Sequence, residues 1–241
     1  MFQMPAEYYL HREIDVKSII PPTLKPNDKK RLRENIQKVT LEWQLNGESI
    51  PSRVDEHVNC QVIMFFTIEL TNIKHAAFIA QTLQRALKGF VILRFYDVTA
   101  EAYSFALKRL HAVQKDEVVV EEEFLTNPLP LIVTHAEKQQ LIQYTTFKAL
   151  QNKFDKYNVY VEMAVKAYIV SHKKAYTQAE ALLQHPTLWL NKQHVQSLLM
   201  LYVKLVELRK QVTQQTKTAE KIALNTVIKQ QMNQLQALLE V

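Results

Sequence analysis

The sequence predicts an α/β front half followed by a helical back half, and three observations carry that prediction. Val62-Ile63-Met64-Phe65-Phe66-Thr67-Ile68-Glu69-Leu70 and Phe90-Val91-Ile92-Leu93-Arg94-Phe95-Tyr96 are short apolar runs, rich in β-branched and aromatic residues, suited to strands buried on both faces. Between them Ala76, Ile79, Ala80, Leu83 and Leu87 recur at helical spacing, so strand, helix and strand read as a parallel βαβ unit. Beyond Asn127-Pro128-Leu129-Pro130, where two prolines interrupt both element types, helical periodicity takes over. The expected divisions are an extended arm over residues 1–26, an α/β domain with a small mixed sheet over 27–130, and a helical region over 131–241.

Taken in order, the arm carries Pro5, Pro21, Pro22 and Pro26, and the Pro21-Pro22 pair cannot sit inside a helix. Asn27 or Asp28 then offers an N-cap, and Leu32, Ile36, Val39 and Trp43 predict one helix running to Asn46-Gly47. Gly89 is placed to close the helix that follows the first strand. Tyr103 to Leu110 and Glu117 to Phe124 are expected as strands added antiparallel, because their connections are too short for crossovers. Helices are expected from Ala136 to Asn152 and from Val159 to Gln184, where His185-Pro186 ends the second.

From Asn191 onward an apolar stripe passes through Val195, Leu198, Tyr202, Leu205, Leu208, Val212, Ala219, Ile222, Leu224, Ile228, Met232, Leu235 and Leu239. Threes and fours dominate the spacing, as in a coiled coil, and the seam weakens over the polar stretch Thr213 to Thr218. Unbroken, about 48 residues at roughly 1.5 Å each would form a rod of about 70 Å. Such a rod needs a second chain along it or must fold back. Leu198, Tyr202, Leu205, Leu208, Val212, Ile222, Ile228, Met232 and Leu235 are therefore the candidate oligomerisation residues.

Composition narrows the chemistry. With only Gly47 and Gly89 among 241 residues, neither GxxxxGK[ST] nor GxGxxG can be written, so the usual phosphate-cradling loops are absent and no cofactor is expected. The single cysteine, Cys60, excludes an intramolecular disulfide and points to a reducing, cytoplasmic setting. No signal-like start and no uncharged apolar run of about 18 residues occurs, so no membrane partner is expected. The eight histidines never fall three or four apart, which argues against a histidine metal site.

The net charge of +6 is uneven: residues 131–241 hold 14 Lys and Arg against 7 Asp and Glu, while residues 1–130 hold 16 against 17. A basic, Gln-rich helical segment suits nucleic-acid phosphates, an acidic protein face or plain solvation. Lys29, Lys30, Arg31 and Arg33 are the candidate nucleic-acid contacts in the front half. Glu117 and Glu121-Glu122-Glu123 flank a valine run, a pattern more typical of a charged sheet border than of a cation site. A metal-dependent nuclease would need converging acids with a lysine two residues beyond one of them. Asp55, Glu69 and Asp97 are the candidates, but Thr71 stands where the lysine belongs.

The arm from Tyr8-Tyr9-Leu10 to Pro22, the stretch from Leu32 to Leu45 with Trp43, the Phe65 to Leu70 and Phe90 to Phe95 strands and the late Lys221-Ile222-Ala223-Leu224-Asn225 element together resemble a bacterial family. It is known as the domain of unknown function numbered four thousand three hundred and ninety-one, and the resemblance covers nearly the whole chain. No catalytic residues follow from it. Members are similar in being encoded beside helicases and DNA methyltransferases in restriction or phage-defence islands. The resemblance implies an accessory role there, and together with the long apolar seam and the basic back half it leads to the expectation of a non-enzymatic subunit that binds such a partner, a second copy of itself or DNA. The alternatives are a divergent Mg²⁺-dependent nuclease and a DNA-binding protein using the basic run.

Overall fold

The computed structural model describes residues 2–114 and 117–240. Two compact units emerge, residues 1–164 and residues 165–241. The first contains β1 (Tyr9–Ile14), α1 (Val16–Ile19), α2 (Pro26–Asn35), β2 (Ile36–Leu45), β3 (Arg53–Val54), β4 (Asn59–Cys60), β5 (Ile63–Leu70), α3 (Ala76–Ala86), β6 (Phe90–Tyr96), β7 (Ala100–Leu110), β8 (Val118–Leu125), β9 (Leu129–Pro130) and α4 (Ala136–Thr145). The division falls inside α5 (Lys156–Ser171), and the second unit continues with α6 (Ala179–Gln184), α7 (Lys192–Gln214) and α8 (Thr218–Ala237).

The sheet has the order β1-β2-β5-β6-β7-β8, with β9 also paired to β7, while β3 and β4 form a separate small hairpin. The expected βαβ unit is present: β5 and β6 are parallel, in a register that sets Ile63 beside Phe90 and Glu69 beside Tyr96. The other neighbouring strands run antiparallel, including the predicted additions β7 and β8. One sheet face is covered by α1, α2 and α3, whose Ile19, Leu32, Ile79 and Leu83 pack on Val39, Phe66, Ile68 and Leu93. The opposite face is aromatic. Phe2 packs edge-on to Tyr103 at 5.7 Å, and Phe90 lies 5.1 Å from Tyr160 of α5.

The helix expected to run to Gly47 stops at Asn35, and residues 36–45 are a strand. Pro26 occupies its first turn with Lys25 as N-cap, two residues before Asn27 and three before Asp28, the expected caps. Two register shifts explain the misreading, one between Ile36 and Lys38 and one between Leu41 and Trp43. A bulge adds a residue without advancing the pleat, so Ile36 and Val39, three apart, both enter the same core. That spacing imitates a helix. Trp43, after the second bulge, sits on the other face, 6.3 Å from Phe65.

Other boundaries also move. Gly47 has φ +79°, a turn conformation that suits glycine, whereas Gly89 has no positive φ and does not cap α3. Instead the buried Lys108 ammonium donates to the carbonyls of Leu87 and Gly89 at 2.6 and 2.9 Å, meeting the orphan acceptors past the helix end. The proline-rich boundary expected at residue 130 lies within the first unit, because Leu129-Pro130 pairs with β7. The helix expected over 136–152 ends at Thr145, whose hydroxyl donates to the Leu141 carbonyl at 2.6 Å. The one expected over 159–184 is split, with residues 172–178 non-α between α5 and α6.

The continuous rod is also corrected. At Gln215–Lys217 the helix breaks, Gln215 turning to extended geometry, and α8 packs back on α7. Arg209 on α7 lies 3.7 Å from the Met232 sulfur on α8, and the Tyr176 hydroxyl lies 3.4 Å from Gln236. No apolar ridge crosses Thr213 to Thr218, so nothing there rewards an unbroken helix.

Candidate functional site

One polar network of the first unit lies at the carboxyl end of the parallel strands, where α/β sheets commonly hold ligands. The Asp97 carboxylate builds the turn that aims it. It accepts the N–H groups of Thr99 and Ala100 at 2.7 and 2.9 Å, the Thr99 hydroxyl at 2.7 Å and the Ile73 N–H at 2.8 Å. Burial pushes this carboxyl up, but those donors outweigh it and hold it at about 2. The turn sets Glu101 opposite Tyr96 and Tyr103 opposite Arg94.

Glu101, 1% exposed, lies between two cations: the Arg94 Nε and Nη2 donate to Oε2 at 2.8 and 2.7 Å, and Lys138 Nζ reaches Oε1 at 2.7 Å. Burial raises the carboxyl's pKa, and Lys138 and Arg94 together bring it below the ordinary value. Tyr103 is driven upward by burial first and by Glu101 second. Beside this network the Tyr96 hydroxyl donates to Glu69 at 3.1 Å. Burial and that bond both raise the Tyr96 phenol.

A cavity of about 130 Å³ adjoins the network. Its aromatic walls are Phe2, Trp43, Phe65 and Tyr103, and Glu42, Thr67 and Arg94 supply its polar lining. At the rim His11 Nδ1 lies 3.0 Å from Glu42 Oε2, and the exposed Tyr9 ring stacks on His11 at 5.8 Å and lies 6.0 Å from Trp43. His11 has φ +47°, in the left-handed region, at the bulge that shifts β1 against β2 between Tyr9 and Arg12.

The nuclease candidates do not form one site. Asp55 belongs to the β3–β4 hairpin at the amino end of β5, while Glu69 lies at its carboxyl end, about 20 Å away at roughly 3.3 Å per residue. Asp55 is a turn former: it accepts from Arg53 Nε and from the N–H groups of His57 and Val58, each at 2.8 Å. Burial raises its carboxyl, and Arg53 with the two N–H groups outweighs that, leaving it at about 2. Glu69 and Asp97 share the carboxyl end but serve different partners. Among the described residues no group of three His, Cys, Asp or Glu is placed to hold a metal ion. Cys60 is fully buried, and burial, then Asp155, pushes its thiol up to about 12.

The basic run on α2 is splayed. Lys29 donates to the Pro22 carbonyl at 2.6 Å, Lys30 lies 3.8 Å from Glu34, Arg31 covers the Phe78 ring at 3.9 Å, and Arg33 is exposed in the last turn. Of the stripe, Leu198, Tyr202, Leu205, Leu208, Ile228 and Leu235 are buried within the chain. Val212 and Met232 are half-buried, and Ile222 is 63% exposed.

Sequence reasoning missed a second feature of the sheet. The β6–β7 ladder runs from Tyr96 opposite Glu101 to Leu93 opposite Ser104 and then opens. Tyr160 fills the gap: its hydroxyl accepts the Ala106 N–H at 2.8 Å and lies 3.1 Å from the Val91 carbonyl, replacing a rung of the ladder. The helical pattern of residues 156–171 carries no signal for this, since a buried tyrosine on a helix reads as ordinary core.

Comparison with curated proteins and with solved structures returns no match. Among the described residues no helix is long and apolar enough to cross a membrane. The family described as Domain of unknown function (DUF4391) matches residues 2–235, nearly the whole chain, so this mixed sheet and its helical hairpin belong to a member of the DUF4391 family.

Proposed function

We propose that the chain is a cytoplasmic, non-enzymatic accessory subunit of a bacterial restriction or phage-defence assembly, and that its C-terminal helical unit holds a helicase or DNA-methyltransferase partner. One observation carries this reading: the whole net charge of +6 falls on residues 165–241, with ten Lys and Arg against four Asp and Glu. Lys204, Lys210 and Lys229 on α7 and α8 are exposed, while most of the apolar stripe is used internally. A docking face of this kind works by long-range attraction to an acidic surface and weakens with salt. The carboxylates of Asp55 and Asp97 are occupied by the chain's own donors, which supports a structural role for them.

Co-purification of the tagged full-length chain from its host, at low and at high salt, tests the proposal. The expected result is recovery of a helicase or methyltransferase at low salt that is lost at high salt and in the Lys204→Glu, Lys210→Glu, Lys229→Glu variant. Mg²⁺-dependent plasmid cleavage that disappears in Glu69→Ala would replace this reading with the nuclease. Retention on DNA alone, falling steeply with salt and abolished by Lys30→Ala with Arg33→Ala, would replace it with DNA binding through α2.

A further inference from the structure

We infer that the cleft beside Trp43 binds a purine base with a hydrogen-donating edge, guanine above all. Four properties lead there. At about 130 Å³ the cavity is well below the roughly 300 Å³ at which drug-sized pockets begin, and matches a single fused ring system. Its walls are aromatic, and Trp43 is only half-buried, so a planar ligand can lie on a π face.

The polar lining then selects the edge. Glu42 is an acceptor-only carboxylate with about four lone-pair sites, of which His11 occupies one, on Oε2. Guanine presents two adjacent donors, its N1–H and its 2-amino group, in a spacing that one carboxylate accepts; uracil presents a single N–H. The Thr67 hydroxyl, on a residue 9% exposed, lines the same space and has no protein partner among the described residues. Opening onto the cavity, it can donate to or accept from the edge of a ligand.

The rim extends the platform. Tyr9 is 52% exposed and its side chain is held in a stack with His11 beside Trp43. The backbone at His11 takes a left-handed conformation, a strained geometry for a residue with a Cβ of the kind that tends to persist at functional sites. Successive bases of a single strand stack on neighbouring aromatic rings in the same way. The base can therefore come from a free nucleoside or from an unpaired position in a strand. The site is independent of the docking role proposed for the second unit.

Tryptophan fluorescence reads the site directly. The chain has two tryptophans, and Trp189 is 0% exposed, so a stacking ligand quenches Trp43. Guanosine, inosine and uridine are titrated into the full-length protein, followed by an oligothymidine single strand carrying one central guanine. The expected result is saturable quenching by guanosine, at least tenfold weaker for inosine and weaker still for uridine. Glu42→Gln, which keeps the shape, weakens guanosine at least tenfold with an unchanged melting temperature. Thr67→Val, nearly isosteric, gives a smaller loss and stands in if the first variant is unstable. Tighter binding of the strand than of guanosine assigns the ligand to single-stranded nucleic acid; equal binding assigns it to the free nucleoside. The inference is overturned by the absence of saturation with every ligand, or by equal quenching from uridine that Glu42→Gln leaves untouched.

Discussion

The two units handle charge in opposite ways. Residues 1–164 hold twenty Lys and Arg against twenty Asp and Glu, and several of these groups are buried in specific networks. Arg94, Glu101 and Lys138 form one; Lys156 forms another, donating to the carbonyls of Gly47 and Ile50 at 2.9 and 2.7 Å. Residues 165–241 hold ten against four, and most of those cations face water around an apolar interior. The difference teaches that the first unit uses charge to specify one arrangement of distant segments, whereas the second is specified by apolar packing and keeps its charge for whatever approaches it.

Glu101→Ala tests the first half of that contrast most severely. It takes the carboxylate from the buried Lys138 and the ion pair from the partly exposed Arg94, and a loss of about 3 kcal/mol is expected in urea unfolding. A loss below about 1 kcal/mol would show the network to be dispensable. Leu205→Ala makes the matching test in the second unit, where a fully buried leucine on α7 is removed. The expected cost is about 2–5 kcal/mol from lost transfer energy and the cavity left behind. Next comes Tyr160→Phe, which deprives the Ala106 N–H of its acceptor between β6 and β7 and is expected to cost about 1–3 kcal/mol. Faster exchange of the Ala106 amide would locate the effect.

Lys108 gives a pH signature peculiar to the first unit. Burial lowers its ammonium from the ordinary 10.5 to about 8, with Glu123 opposing. Between those values the unfolded chain holds a proton the folded chain has released, so raising pH favours the folded state. Unfolding midpoints are expected to rise across this window from the Lys108 contribution, and Lys108→Met removes that rise. The smallest effect belongs to the exterior: Lys204→Ala with Lys229→Ala is expected to change stability by no more than about 0.5 kcal/mol per site. A large loss there would erase the contrast between the units.

The sequence is most readable where one physical signal acts alone. The β5-α3-β6 segment is unmistakable because its strands are buried on both faces and α3 carries a clean apolar stripe. β2 is not, since its first bulge brings Ile36 and Val39, three apart, into one core and its second turns Trp43 to the other face. The break between α7 and α8 was half visible in the polar Thr213 to Thr218 stretch, but its outcome depended on an apolar partner face that only folding supplies. At the candidate site, Glu69 and Asp97 could be singled out as acids near strand ends. Glu101 and Lys138 could not, because the β7–β8 hairpin and the two-residue β9 intervene before Lys138, near the start of α4, returns to Glu101. The cavity is harder still: Trp43, Thr67 and Tyr103 are scattered along the chain and share a surface only through strand register, and Phe2 joins them from outside the sheet.

Cys60 has a practical consequence. Sealed in the first unit and held almost wholly as the neutral thiol, it neither oxidises between molecules nor competes for maleimide reagents at neutral pH. A cysteine placed at an exposed position such as Lys204 becomes the sole reactive thiol, ready to carry a dye, a spin label or a crosslinker, with no prior mutagenesis of the native chain.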